Sequence, residues 1–277
     1  MTNSALPDPR LAAFSANLRL LCEQQGSISQ ICRKIGINRQ QFNKYLAGRH
    51  MPSTANIRAI ANHFGLDPEV MFSREEEFRA LIDGDFFETF NRMRSLPQVT
   101  AFLSTAMAVP DSTRDSLVGV YDRYHFSSIY PRRILRASMC IYPGADLLQH
   151  VYVERFPHQD DRTKTAYRFR YHGFVLPIEG RIFTLDFETE QKNEMTFGIY
   201  SQIQRNTKSL LLGITSGIAA NMYRQPFSTR QALHFRRPGL LSRADLSRSS
   251  AMDFNDPTIP AEVREYLGTE PEMIKPG

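Results

Sequence analysis

Residues 26–50, GSISQICRKIGINRQQFNKYLAGRH, contain two successive sets of helix start and stop signals. Ser27 can cap a first short helix. The apolar positions of this helix recur at helical spacing: Ile28, Ile31, Cys32 and Ile35. Gly36 ends it, because a residue without a Cβ adopts the left-handed conformation most easily. Asn38 then caps a second helix that ends at Gly48, so the pattern predicts two short helices joined by a tight turn.

The second predicted helix separates an apolar inward face from a polar outward face. The outward residues can all donate hydrogen bonds: Arg39, Gln40, Asn43 and Lys44. Arg, Gln and Asn form two-pronged hydrogen bonds with base edges in a DNA major groove. The range from Gln24 to Leu66 contains six Lys or Arg residues and no Asp or Glu, which is typical of a protein with a polyanion partner. We interpret the two helices as a DNA-binding helix-turn-helix, with a protein-binding helical bundle as the alternative.

Residues 14–72 resemble the lambda-repressor-like, XRE-type DNA-binding domain, a five-helix unit. The resemblance rests on the turn GIN at 36–38, on the recognition helix over 39–47, and on GRHMPS at 48–53, which is similar to the family's Gly-basic-x-x-Pro-Ser link. The chain departs from the family at Ile28, where Gln usually follows the capping serine. Because repressors of this type need two copies to read a palindrome, the resemblance also implies a homodimer.

The resemblance implies roles for individual residues. Four would face the bases: Arg39, Gln40, Gln41 and Lys44. Four would hold the phosphates: Asn38, Asn43, Arg49 and His50. The implied partner is double-stranded DNA, and the implied activity is the regulation of transcription.

The basic charge is concentrated in this first part of the chain. The whole chain of 277 residues carries a formal net charge of +5, and residues 1–74 contain nine Lys or Arg and four Asp or Glu. The remainder is therefore near neutral, and the basic character belongs to the predicted DNA-binding domain. A chain of this length suits two domains, and an apolar content of 42% is enough for their cores.

The sequence also indicates a compartment. Its N-terminus lacks the basic-then-apolar pattern of a signal peptide, and no apolar run approaches the roughly 20 residues that a membrane span requires. The cysteines Cys22, Cys32 and Cys140 are widely spaced, which is typical of reduced thiols and not of disulfides or a metal site. We expect a cytoplasmic protein with no membrane partner.

Four segments are predicted in an α+β multidomain chain. The helix-turn-helix domain covers residues 1–72, and a helical linker with an interruption at Asp83-Gly84 covers 73–115. This linker either packs on the second domain or mediates dimerisation, and one segment can do both. A β domain covers 116–240, and a tail with a short helix at its end covers 241–277. The sequence leaves open whether the tail docks on the β domain.

The β domain is predicted from a change of hydrophobic period to two at about Leu117. Its strand candidates are 133–142, 147–156, 167–171, 182–187, 195–199, 210–218 and 232–236. Seven or eight strands, with no room for crossover helices, indicate an antiparallel meander. Such a sheet loses its edges by closing into a barrel or by folding into a sandwich.

The inner face of this sheet is predicted to be rich in aromatic residues: Tyr152, Phe156, Tyr167, Phe169 and Tyr171. These side chains either fill an ordinary core or enclose a small-molecule effector. Five arginines form a possible basic patch for an anionic ligand such as a nucleotide, or a solvated strand face: Arg132, Arg133, Arg136, Arg236 and Arg237.

The sequence shows no motif for catalysis or for a bound group. The histidines lack metal-ligand spacing, and neither a phosphate-binding glycine loop nor a nucleophile elbow occurs. We therefore expect no catalytic residue, no metal and no cofactor. The function predicted is a dimeric, sequence-specific transcription regulator with a sensor domain. The alternative is a helix-turn-helix tethered to an effector or enzyme whose β domain binds or processes a nucleotide or another small molecule.

Overall fold

The computed structural model describes residues 8–24, 27–82, 96–99, 101, 103, 108, 110–128, 130, 132–144, 147–157, 165–192, 194–202, 210–218, 225–269 and 273–274. These residues belong to a helical N-terminal unit and a β-rich C-terminal unit. The predicted linker interruption at Asp83-Gly84 lies outside the described residues.

Over residues 8–82 the helical unit contains five α-helices and one 3-10 helix. They are Pro9–Gln24 (α1), Ile28–Ile35 (α2), Arg39–Leu46 (α3), Thr54–His63 (α4), the 3-10 helix Pro68–Phe72, and Glu75–Ile82 (α5). Their inward side chains form a fully buried core: Phe14, Leu18, Phe42, Tyr45, Ile60, Phe64, Met71 and Phe78. The predicted N-terminal helical bundle is confirmed. No helix in the described part of the chain is long and apolar enough to cross a membrane.

The predicted helix caps form as local hydrogen bonds. Ser27 Oγ accepts from the Gln30 amide at 3.3 Å, and Asn38 Oδ1 accepts from the Gln40 amide at 2.8 Å. Gly36 ends α2 in the left-handed conformation, with φ of 71°. Each cap satisfies backbone groups at a helix end that otherwise have no partner. The angle between α2 and α3 is therefore set within a few residues of the turn.

The C-terminal unit is built from eight consecutive antiparallel strands. They are Gly119–Phe126 (β1), Arg133–Pro143 (β2), Leu148–Pro157 (β3), Thr165–Ile178 (β4), Arg181–Glu188 (β5), Met195–Gln202 (β6), Leu210–Ile218 (β7) and Pro226–Arg237 (β8). A short helix, Asp111–Leu117 (α6), precedes β1. Each strand neighbours the next, and β1 also pairs with β8. This last pairing closes the sheet, so the structure selects the barrel over the sandwich.

Alternate residues of the strands point into the barrel. The period of two predicted for residues 133–142 is confirmed in β2, because alternate residues belong to the internal core: Leu135, Ala137, Met139 and Ile141. Aromatic residues from other strands complete this core: Tyr121, Tyr152, Phe156, Phe169, Tyr171 and Tyr200. A Cβ on Gly173 would lie 1.8 Å from the Leu185 carbonyl oxygen, so glycine is required where β4 and β5 approach closely.

Two strand predictions differ from the structure. The sequence-based list of strands omits β1, although all of its residues are buried. Tyr167 was predicted to face inward with Phe169 and Tyr171, but it is 62% exposed. It lies near the start of β4, beside three further residues that are not buried, where the strand extends past the filled part of the barrel.

The tail packs on the outer face of the barrel. It contains Arg243–Ser247 (α7), Ser250–Asp253 (β9), Ala261–Leu267 (α8) and Met273–Ile274 (β10). β9 pairs with β2, and β10 pairs with β8. A second apolar core joins tail residues to outward residues of the barrel: Met252, Ile259, Val263 and Leu267 with Tyr124, Phe126, Ile134, Leu210 and Ala232. The tail is therefore docked.

Arginines of the proposed basic patch hold this tail in place. Arg136 Nε donates to the Arg248 carbonyl oxygen at 3.0 Å, and Arg237 forms an ion pair with Asp245. Arg133 likewise forms an ion pair with Asp253 on β9. Because these charges are matched by tail groups, the structure does not support a free anion-binding patch at these arginines.

Candidate functional site

The predicted DNA-contacting residues lie at the N-cap of α3, on its outward side and in the loop that follows it. All eight are solvent-exposed: Asn38, Arg39, Gln40, Gln41, Asn43, Lys44, Arg49 and His50. Six of them line one open depression: Asn38, Gln40, Gln41, Lys44, Arg49 and His50. Arg39 and Asn43 lie four positions apart on the adjoining flank of α3.

The N-terminus of α3 is arranged to receive an anion. Asn38 Oδ1 caps the helix by accepting from the Gln40 amide, which leaves the Asn38 Nδ2 group to donate outward. The first amides of a helix, together with its dipole, favour a phosphate at this position. The chain from Gln24 to Leu66 contributes no carboxylate that could neutralise this charge.

The loop after α3 is held by the core side of the same helix. The Arg49 amide donates to the Lys44 carbonyl oxygen at 3.0 Å. The His50 ring stacks on Tyr45 with centroids 6.4 Å apart, and the Tyr45 hydroxyl accepts from Asn56 at 2.9 Å. These contacts fix the backbone at the positions of Arg49 and His50 while their side chains stay exposed.

One positioning residue was missed by the sequence reasoning. Arg19 on α1 donates from Nη1 to the Leu46 carbonyl oxygen at the end of α3, at 2.6 Å. A cation at a helix C-terminus satisfies a carbonyl group and interacts favourably with the helix dipole. The two residues are 27 positions apart, so no local pattern signals the contact.

A protein-family model described as a helix-turn-helix domain matches residues 13–71. The N-terminal unit contains a helix-turn-helix domain. No curated protein and no solved structure matches the chain significantly. In the helix-turn-helix domain α2 and α3 form the motif, and α3 is the recognition helix. The family match ends at residue 71, so it does not extend to the barrel.

The interior of the barrel holds a cluster of charged side chains, which the sequence reasoning did not predict. Arg123 and His125 on β1 both contact the Glu154 carboxylate on β3, with His125 Nε2 at 3.1 Å from Oε1. Arg123 also lies over the Tyr152 ring, with Cζ 4.4 Å from the centroid. Burial would raise the pKa of Glu154, but His125 and Arg123 hold it below its ordinary value. Glu154 is thus an ionised carboxylate inside the barrel.

A second buried carboxylate, Asp186, lies on β5. The Thr196 hydroxyl donates to its Oδ2 at 2.7 Å, and His150 Nε2 lies 2.7 Å from its Oδ1. Burial would raise the pKa of Asp186, but His150, Arg123 and the Thr196 hydroxyl together lower it. The carboxylates of the interior are therefore matched by protein cations and donors.

A small cavity remains at the end of the barrel where β1 and β3 finish. Its volume is about 20 Å³, room for about one water molecule. It is lined by both charged and aromatic groups: Arg123, His125, Ser128, Leu135, Tyr152, Glu154, Phe156, Phe169, Tyr171, Glu194, Thr196 and Phe227. The Tyr171 hydroxyl donates to Glu194 Oε2 at 2.8 Å. Burial, and then the charge of Glu154, raise the pKa of Glu194 to about 7.

The titratable side chains of the barrel interior, such as His125, Glu154 and Glu194, can bind or transfer protons, but they do not form a metal site. Among the residues that the structure describes, no three His, Cys, Asp or Glu side chains converge as metal ligands would. A ligand larger than water would have to displace side chains at the cavity, because the polar groups already occupy the space around it.

Proposed function

We propose that the protein is a sequence-specific DNA-binding regulator of transcription that acts in the cytoplasm as a homodimer. The proposal rests on one observation. Eight exposed residues with hydrogen-bond donors lie on and around the recognition helix, and the segment from Gln24 to Leu66 contributes no Asp or Glu to this surface. In a major groove, Arg and Gln side chains of α3 would pair with base edges. Asn38, Arg49 and His50 would fix the register by holding phosphates.

The test separates base contacts from phosphate contacts. Random duplex DNA is first selected with the purified full-length protein at moderate salt, and the affinity of variants for the selected site is then measured. Arg39→Ala is expected to relax base preference and to cost about 1–3 kcal/mol of binding free energy. Arg49→Ala is expected to weaken binding to all sequences equally and to reduce the slope of log affinity against log salt by about 1.

Arg10→Ala serves as the matched control, because Arg10 is an exposed arginine of the same unit that already pairs with Glu69 at 3.3 Å. It should leave binding unchanged. If Arg39→Ala and Arg49→Ala both bind the selected DNA as the unchanged protein does, the proposed DNA-binding surface is wrong. A selected palindrome would support the homodimer, and its half-site spacing would give the distance between the two recognition helices.

We also propose that the barrel is the input domain for a small-molecule effector. The support is the chemistry at the barrel end, where ionised groups lie beside aromatic side chains; a ligand larger than water would enter by displacing side chains around the small cavity. Native mass spectrometry of the purified full-length protein should detect a retained small molecule. Ser128→Trp, which places a large ring at the cavity, should abolish that additional mass. Absence of any added mass from the unchanged protein would count against the sensor.

A second candidate function is a helix-turn-helix tethered to a catalytic barrel. The observation that favours it is the buried pair His125 and Glu154, since His and Glu perform general acid–base chemistry in enzymes, beside Arg123, whose fixed charge can stabilise an anion. A turnover assay on nucleotides and small esters, with Glu154→Gln as the control, distinguishes the two functions. Turnover that Glu154→Gln abolishes while the variant keeps the circular dichroism spectrum of the folded protein would support the enzyme, and absence of turnover from both proteins would favour the regulator.

A further inference from the structure

The outer face of strands β5, β6 and β7 carries a grid of apolar side chains. The pairing register places outward residues side by side in rows: Phe187 beside Met195, Leu185 beside Phe197 beside Ser216, and Phe183 beside Ile199 beside Ile214. Ile218 extends the grid along β7. We call this surface the β5–β7 face. These three rows contain no charged residue, and Arg181 begins the adjoining row, beside Ser201.

Several large apolar side chains of the β5–β7 face are exposed to solvent. Met195 is 56% exposed, Ile218 is 51% exposed and Ile214 is 42% exposed, and Phe197 and Ile199 are also exposed. The tail covers outward apolar residues of β1, β2 and β8 and, on β7, Leu210 and Leu212. Large exposed apolar patches on proteins usually mark interaction surfaces.

We propose that the β5–β7 face binds the same face of a second copy of this chain. The inference rests on the proposed function, since a regulator that reads a palindrome needs a two-fold dimer. In a two-fold interface each residue near the axis faces its own copy, so a charge there would oppose a like charge. The uncharged rows of the β5–β7 face avoid this repulsion, and the centres of interfaces are depleted in charge for the same reason.

The geometry of the barrel determines how two copies would meet. Because β1 pairs with β8, the two terminal strands of the eight-stranded wall bind each other along their paired residues and do not offer those edges to a second barrel. We therefore expect association face to face, with side chains interdigitating between sheets about 10 Å apart. Flat apolar side chains such as Phe197 at the middle of the grid suit this packing.

The area of the face is adequate for a dimer. Its exposed apolar side chains present on the order of 400 Å², which is the size of a functional patch. The half-buried neighbours Phe183, Leu185 and Phe187 extend it. A standard interface buries about 800 Å² on each partner, so the apolar grid would supply the centre and the surrounding polar residues the rim.

The test is the oligomeric state of the full-length protein, measured by sedimentation velocity over a concentration series. The unchanged protein should sediment as a dimer. Phe197→Glu and Ile214→Glu should each raise the dimer dissociation constant at least about 10-fold, because each places two like charges in an apolar contact. Tyr167→Glu is the matched control, since Tyr167 is also an exposed aromatic on the barrel but lies on β4. It should dimerise normally.

Circular dichroism must show the same folded spectrum for all four proteins. Using two separate positions keeps the test decisive if one variant misfolds. A monomeric unchanged protein, or a dimer that both glutamate variants preserve, would overturn the inference. Binding of the same samples to a single half-site is measured separately, so a monomer that still binds DNA refutes only the interface and leaves the proposed DNA-binding function standing.

Discussion

The buried pair Arg123–Glu154 allows the energetics of the barrel to be tested quantitatively. The two side chains are 3% and 8% exposed, so water cannot solvate either charge if its partner is removed. Removing one member of a buried ion pair costs about 3–5 kcal/mol of unfolding free energy, because the other charge is left unpaired. We expect Arg123→Met to fall in this range. His125, at 3.1 Å from Glu154, compensates only part of the loss.

Replacing both members should be less harmful than the sum of the single changes. The double variant Arg123→Met/Glu154→Leu leaves no buried charge at this pair, so the coupling free energy should be about 2 kcal/mol or more. The control is Arg168→Met, which breaks an Arg168–Glu190 pair of 2.7 Å whose members are 47% and 32% exposed. An exposed pair contributes about 0–1 kcal/mol.

Urea unfolding followed by near-ultraviolet circular dichroism suits this measurement. The chain has no tryptophan, and ten of its eleven tyrosines follow residue 116, so the tyrosine signal reports mainly on the barrel unit. If Arg123→Met costs no more than Arg168→Met, or if the single costs simply add in the double variant, then the buried pair does not stabilise the barrel in the way described.

Two further predictions concern a helix end and a carboxyl group. Arg19→Ala should lower the unfolding free energy of the helical unit by about 0.3–1 kcal/mol in thermal unfolding and should weaken DNA binding, because the Leu46 carbonyl at the end of α3 loses an exposed charged donor; Arg10→Ala, which breaks an exposed ion pair with Glu69, should leave DNA binding unchanged. The folded protein holds the pKa of Glu194 at about 7, above the ordinary value of 4.5, so this group stabilises the barrel at low pH and loses that contribution as pH rises through 7. The unfolding free energy should therefore fall by about 1–3 kcal/mol between about pH 5 and pH 8, and Glu194→Gln should flatten the profile; an equally steep profile in the variant would show that another group titrates.

The helix-turn-helix could be read from the sequence because its signals are short-range. The Ser27 and Asn38 caps bond to amides three and two residues away, and Gly36 ends α2 through its own backbone conformation. Such contacts form within one helical turn, so residue identity at a few neighbouring positions is sufficient to predict them. The inward set of β2 was predictable for a similar reason, since it depends only on alternation.

Strand β1 could not be predicted from short-range sequence signals. Its sequence, GVYDRYHF, lacks apolar–polar alternation because both of its faces are buried. Its inward Arg123 meets Glu154, 31 positions away, and its outward Asp122 meets Arg248, 126 positions away. These partners offset the cost of burying polar residues in a strand, but they lie too far along the chain to be identified from the neighbouring sequence.

The sequence by itself determined the N-terminal helix-turn-helix, its basic outward surface and the antiparallel character of the second half. These follow from capping, helical spacing and alternation, which act between near neighbours. Only the tertiary structure decided that β1 closes the barrel on β8, that the barrel interior holds paired charges, that the tail covers one outer face, and that the β5–β7 face stays exposed. Each of these depends on contacts between residues far apart in the chain, and a local pattern specifies one side of such a contact without specifying its partner.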